Sequence, residues 1–195
     1  MNVVIIQYNA GNIRSVDFAL RRLGVKPVIS ADPGVIASAE KVIFPGVGEA
    51  AGTMAHLRET GLARLIPSLK QDFLGICLGM QLMCSFSEEG NVPCLNIIPQ
   101  KVKRFEAAGG LKVPHMGWNR LERTQGRLID SSFEGEYMYF VHSYYVETGD
   151  FTTAIAVYGT PFSAAAERDN FFATQFHPEK SGTAGSRLLK KFIAL

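Results

Sequence analysis

The chain has no long apolar run, so no stretch approaches the length of a membrane-spanning helix. It also carries almost no net charge. Lys and Arg (20) nearly balance Asp and Glu (18), and no basic block stands out, so neither nucleic acid nor an anionic membrane is expected as a partner. Cysteine is scarce. Cys77, Cys84 and Cys94 are an odd number with no C-x-x-C pair, which argues against a disulfide framework or a zinc site and fits a reducing compartment. The stretch Met1-Asn2-Val3-Val4-Ile5-Ile6 lacks the charged start, apolar core and cleavage site of a secretory signal, so a cytoplasmic location is expected. No G-x-G-x-x-G fingerprint follows the first strand, which weakens a plain nucleotide-binding reading. Internal repeats, low-complexity segments and linkers are missing too, so residues 1–195 are expected to form one domain.

What is present is the composition of a packed protein, with 47% hydrophobic and 19% charged residues. Val3 to Gln7 is a continuous apolar run, as expected of a strand buried on both faces. A turn at Tyr8–Asn12 leads to a helix with Ile13, Val16, Ala19, Leu20 and Leu23 on one side, stopped by Gly24. Further strands are expected at Pro27–Ile29 and Val42–Phe44, with a turn at Asp32-Pro33-Gly34 opening a short helix. Helical patterns fill about 50–58 and 62–69. This alternation points to an α/β fold, a mostly parallel, flavodoxin-like sheet flanked by helices. After about residue 90 the pattern changes. Alternating segments at 101–105, 137–146, 154–158, 163–167 and 171–176 suggest an antiparallel extension in the C-terminal half. A last helix is expected over 186–195, with Leu188, Leu189, Phe192 and Ile193 inward.

Two stretches carry chemistry. In Gly75-Ile76-Cys77-Leu78-Gly79, glycines flank Cys77 two residues away on each side, between an apolar strand and a helix. That is the pattern of a nucleophile elbow. The turn forces strained backbone at the nucleophile and brings neighbouring chain so close that side chains at the glycines would clash. At a helix start the sulfur faces unpaired N–H groups and the positive end of the dipole, which favour thiolate, and the Leu78 N–H is placed to stabilise an oxyanion. Leu78, Leu82 and Phe86, four residues apart, are expected on one face of that helix, with Cys84 in the core and Cys94 in a loop.

The second stretch is Gln175-Phe176-His177-Pro178-Glu179, at a strand end, where side chains of an open sheet meet a ligand crevice. A thiolate needs a base, and the base needs an orienting acid. His177 and Glu179, two apart, project the same way from extended chain. Alone, His177 reads better as a satisfied core or surface histidine and Glu179 as a solvated loop charge. His56 has no partner acid. His142, in an aromatic strand, is better placed to pack beside a site, and His115 lies in the compact loop Pro114–Asn119.

Gly75–Gln81 together with Phe176–Glu179 resembles the class I (triad) glutamine amidotransferases. Pro45–Gly48, Pro114–Asn119 and Tyr139–Tyr144 are similar to the glutaminase subunits that feed a histidine-pathway cyclase. The resemblance runs essentially from Met1 to Leu195, Gly11-Asn12 included; one departure is the first loop, Gln7-Tyr8-Asn9, where the family commonly has an acid or glycine. It implies glutamine hydrolysis with Cys77 as nucleophile, His177 as base and Glu179 as orienting acid, without metal or other cofactor. It assigns Gly46, Val47, Gly48 and Leu78 to the oxyanion region and Gln81, Ser143 and Tyr144 to glutamine. A flip of the Val47 peptide, controlled by a partner, would complete the oxyanion site. The implied partner is a (β/α)8-barrel cyclase in a heterodimer, faced by Asn12, Trp118, Asn119, Tyr139 and Lys180. Two alternatives stay open: a related glutaminase subunit serving another ammonia-dependent barrel synthase, and a catalytically silent scaffold of the same fold.

Overall fold

The computed structural model describes residues 1–8, 12–107 and 110–195. Of the expected turn at Tyr8–Asn12, residues Asn9, Ala10 and Gly11 lie outside the described residues. The strands are β1 (Val3–Ile6), β2 (Val28–Ser30), β3 (Lys41–Phe44), β4 (Asp72–Ile76), β5 (Phe86–Ser87), β6 (Val92–Pro93), β7 (Lys101–Arg104), β8 (His115–Arg120), β9 (Tyr137–His142), β10 (Tyr144–Val146), β11 (Thr152–Tyr158), β12 (Thr160–Arg168) and β13 (Phe171–Thr174). The helices are α1 (Ile13–Arg22), α2 (Pro33–Ala37), α3 (Ala50–Glu59), α4 (Leu62–Leu65), α5 (Leu78–Met83) and α6 (Gly182–Ala194).

Seven strands form the main sheet in the order β11-β12-β13-β4-β3-β1-β2. From β13 to β2 every pairing is parallel, while β12 and β11 add antiparallel strands at one edge. The expected parallel sheet with an antiparallel extension is therefore what forms. The central strands are apolar on both faces because both are covered. Val4, Ile6, Val42, Phe44 and Phe73 pack on the side of α2 to α5. Val3, Ile5, Ile43, Leu74 and Ile76 pack on the side of α1 and α6. The central parallel strands consequently end at one edge, delivering Pro45-Gly46 after β3, Cys77 after β4 and Gln175 to His177 after β13.

Several expectations are corrected. The segment 137–146 is two strands, not one. It breaks at Ser143, with β9 pairing β8 and β10 pairing β7 in a separate four-stranded sheet. Pro114–Asn119 is not a loop, because His115–Arg120 is strand β8 in register with β9. Helix α5 ends at Met83, so Phe86 does not share its face. The carbonyls of Leu82, Met83 and Cys84 accept instead from Leu95, Ile97 and Asn96, and Phe86 enters β5. Residues 66–68 form a 3₁₀ turn containing Pro67, and α6 begins at Gly182. Cys84 is fully buried, as expected.

Candidate active site

Cys77 sits between β4 and α5 with φ 54° and ψ −107°, strained backbone that a non-glycine residue adopts only under constraint. The flanking glycines supply that constraint. A Cβ at Gly79 would lie 2.1 Å from the Phe44 carbonyl oxygen, and one at Gly75 would lie 2.5 Å from Met83 Sδ and 2.9 Å from the Gly79 backbone. The elbow closes only because both side chains are missing. The Cys77 N–H donates to the Thr174 oxygen at 2.7 Å, which ties the elbow to the end of β13.

That tie brings His177 to the sulfur across a hundred residues of chain. His177 is fully buried, and its Nδ1 lies 2.8 Å from Glu179 Oε1. Glu179 is not on extended chain as expected. Pro178 opens a 3₁₀ turn over Pro178–Lys180, and the turn still carries the carboxylate back to the ring. Nε2 makes no hydrogen bond among the described residues, which leaves it as the ring atom available to the sulfur. Burial opposes charge on His177, but Cys77 and Glu179 together outweigh it and push its pKa up to about 10.

The rival histidines are accounted for. His115 Nδ1 and His142 Nε2 are 2.9 Å apart, and His142 Nδ1 is 2.7 Å from the Tyr144 oxygen. Burial pushes His142 down to about 3 and His115 down to about 4, so both rings are neutral at pH 7. His56 lies on α3.

A cavity of about 310 Å³ opens over the sulfur, lined by Val47, Gly48, Leu78, Gln81, Ser143 and Tyr144 among others. The expected glutamine-binding residues therefore meet there, with Gly46 buried just behind. A larger cavity of about 640 Å³, at Lys103, Arg104 and Tyr158, contains none of the three residues His177, Glu179 and Cys77. Gln81 is buried, and its Nε2 donates to the Tyr144 oxygen (2.9 Å) and to Gln175 Oε1 (3.0 Å), leaving its own Oε1 for a ligand. The Leu78 N–H donates to the Gly46 oxygen at 3.4 Å.

Three features escaped the sequence. Among the described residues, Glu89 is the one carboxylate lining this cavity, suited to a cationic group; one oxygen accepts the Ala50 N–H, and burial raises its pKa. The pairing of Gln175 Nε2 with Cys77 Sγ at 3.6 Å spans 98 residues and has no local signal. The third is Asn12, expected on the partner face. Its Nδ2 lies 2.5 Å from Glu179 Oε1 and 3.3 Å from His177 Nδ1, where it supports the carboxylate.

The other expected partner residues divide. On the β8–β9 hairpin Trp118 opposes Tyr139, their rings 6.0 Å apart, and both point outward beside exposed Met116 and Tyr137. Tyr139 leads to Lys180 through its backbone: its oxygen accepts the His177 N–H and its N–H donates to Ser181 Oγ. Lys180 is exposed. Asn119 faces the other way, donating to the Val157 oxygen at 2.9 Å.

A profile of the glutamine amidotransferase class-I family matches residues 4–195. The imidazole glycerol phosphate synthase subunit HisH of Bacteroides fragilis (strain YCH46) is 59% identical over the whole of both chains. That of Yersinia pseudotuberculosis serotype I is 47% identical, again over the whole of both. Among solved structures, a glutamine amidotransferase superposes with TM-score 0.76 at 20% identity, covering 99% of this chain and 98% of that one. Another glutamine amidotransferase, from Thermotoga maritima, gives 0.67 at 15%, covering 99% and 96%. The structural likenesses speak for the fold and the sequence matches for kinship: the chain belongs to the class-I glutamine amidotransferase family, in its group of imidazole glycerol phosphate synthase HisH subunits.

Proposed function

We propose that Cys77, His177 and Glu179 hydrolyse glutamine to glutamate and ammonia. We further propose that the ammonia passes to a (β/α)8-barrel cyclase, which makes imidazole glycerol phosphate and aminoimidazole carboxamide ribotide. The observation that carries this reading is the strained elbow: a sulfur beside a buried imidazole whose other nitrogen is held by a carboxylate 2.8 Å away. Cys77 Sγ attacks the side-chain amide carbon. His177 protonates the leaving ammonia, then takes a proton from the water that cleaves the glutamyl thioester. Glu179 fixes the ring and stabilises the imidazolium. Gln81, Ser143 and Tyr144 hold the amino-acid end of glutamine.

The oxyanion site is unmade in this conformation. The Leu78 N–H is already given to the Gly46 oxygen. In a planar trans peptide the N–H opposes the C=O, so the Val47 N–H points away from the Leu78 N–H. Turning the Gly46–Val47 peptide over, a rotation about Gly46 ψ and Val47 φ, frees one donor and supplies a second, and the missing Cβ of Gly46 eases its half of the rotation. Docking of the cyclase drives the turn. Val47→Pro, which removes that N–H and fixes the φ that must rotate, is expected to lower stimulated glutaminase activity at least about 10²-fold, the cost of losing an oxyanion donor. Full stimulated activity in that variant, with ammonia-driven synthesis intact, would refute the flip.

The cyclase docks on the outward face of β8–β9, at Trp118, Tyr139 and Lys180. Trp118→Asp is expected to raise the cyclase concentration needed for half-maximal stimulation at least about tenfold, as for an aromatic anchor. An unchanged value would move the interface elsewhere.

The deciding experiment is a glutaminase assay of the purified chain with and without a barrel cyclase and its ribulosyl substrate. Low basal activity and strong stimulation are expected. Negligible activity in both settings would overturn the enzyme reading. Stimulation only by a different ammonia-dependent synthase would overturn the pathway.

A further inference from the structure

We propose that Gln175 holds the nucleophile ready by donating a side-chain N–H to Cys77 Sγ, and that Gln81 is the positioning residue that fixes which end of the Gln175 amide meets the sulfur. The inference rests on Cys77 being the nucleophile of the proposed reaction. The direction of every bond follows from one backbone carbonyl. The Tyr144 oxygen can only accept, and it accepts from Gln81 Nε2 at 2.9 Å and from His142 Nδ1 at 2.7 Å. The Gln81 amide is therefore oriented with its nitrogen toward Tyr144. The same nitrogen has a second N–H, and Gln175 Oε1 takes it at 3.0 Å. With its oxygen committed, Gln175 presents Nε2 to the sulfur at 3.6 Å. The reversed amide would set an oxygen against the sulfur and a nitrogen against the nitrogen of Gln81. The reversed amide loses the bond to Gln81 and the donor at the sulfur, in a site where Gln175 is fully buried and Gln81 nearly so.

The backbone holds this arrangement rigidly. Thr174 pairs with Ile76, so Gln175 and Cys77 each come one residue past the last parallel pair of β13 and β4. The Gln175 N–H is bound to the Ala164 oxygen at 2.8 Å, which anchors it to β12. An N–H aimed at sulfur favours the charged form over the neutral one. It also competes with the Val141 oxygen, 3.9 Å from the sulfur, which can only accept and so favours S–H. Because Tyr144 lines the glutamine cavity and anchors the chain of amides, the sulfur and the pocket wall share one network.

Three variants test this in the full complex. Gln175→Met keeps the bulk and removes the donor. Gln175→Glu keeps the shape and turns the donor into an acceptor. Gln81→Glu leaves Gln175 in place but removes the bond that orients it. In each, iodoacetamide should alkylate Cys77 about tenfold more slowly at pH 7, with the rate–pH profile displaced to higher pH and most so for Gln175→Glu. For the Gln175 variants, stimulated kcat for glutamine should fall about tenfold with KM within about twofold, as for a group acting on the reacting atom. Ammonia-driven synthesis should be unchanged. Superimposable alkylation profiles in variants that retain ammonia-driven synthesis would overturn the proposal, as would a raised KM with kcat preserved. The alkylation readout needs no glutamine. Failure of the hydrolysis reading would show in the unaltered protein, and failure of this one only in the variants.

Discussion

Replacing Cys77 by alanine is expected to reduce glutamine-dependent synthesis by the complex at least about 10⁴-fold. Ammonia-dependent synthesis should stay within about twofold of the unaltered complex. The asymmetry follows from where the residue sits. Its side chain reaches the Gln175 amide and the cavity lined by Gln81 and Tyr144, while its backbone carries the turn between β4 and α5. Alanine preserves the carbon nearest the backbone, so the elbow can still close on Gly75 and Gly79. The variant loses the nucleophile and nothing that faces a partner. Steady-state assays with each nitrogen source in turn measure both quantities. Loss of both activities would make Cys77 structural, and retention of both would remove it from the chemistry.

Glu179→Gln is expected to lower stimulated kcat about 10²- to 10⁴-fold while leaving KM nearly unchanged. The amide can still meet His177 Nδ1, but it no longer offers a charge to the imidazolium. The same variant has a signature in stability. In the folded chain the pKa of His177 is pushed up to about 10, against an ordinary 6.5. A group raised in this way binds its proton more tightly when folded. Its stabilisation is complete below about pH 6.5 and is lost as pH rises toward 10. Urea midpoints of the unaltered protein should therefore decline across that window. In Glu179→Gln one of the two supports of the imidazolium is gone, so the decline should be shallower and should end at lower pH. Identical slopes in the two proteins would show that Glu179 does not sustain the charge on His177.

The parts of the fold that the sequence shows plainly are those enforced locally. β1 and β3 read as continuous apolar runs because helices cover both faces of the sheet. The elbow is legible because steric exclusion by the Phe44 carbonyl and Met83 leaves only glycine at Gly79 and Gly75. What stayed hidden was decided at a distance. The alternation of residues 137–146 runs through Ser143 without interruption, yet β9 and β10 pair with different strands, and nothing in a period of two records a change of sheet. The compact stretch Pro114–Asn119 read as a loop, yet β8 forms there because six residues pair in register with β9. Of the site, the three central residues could be singled out from motifs, whereas the contact of Asn12 with Glu179 and any role for Glu89 and Gln175 could not. Each takes its role from contacts made only when the strand ends converge.

The bond from the Leu78 N–H to the Gly46 oxygen has a consequence for the cell that makes this chain. A subunit that satisfies its own oxyanion donor is safe to hold in surplus. Under the proposed reading, copies that have not met a cyclase would hydrolyse little glutamine. On that reading the two proteins need not be made in equal amounts, since the restraint would lie in a single peptide unit of this one.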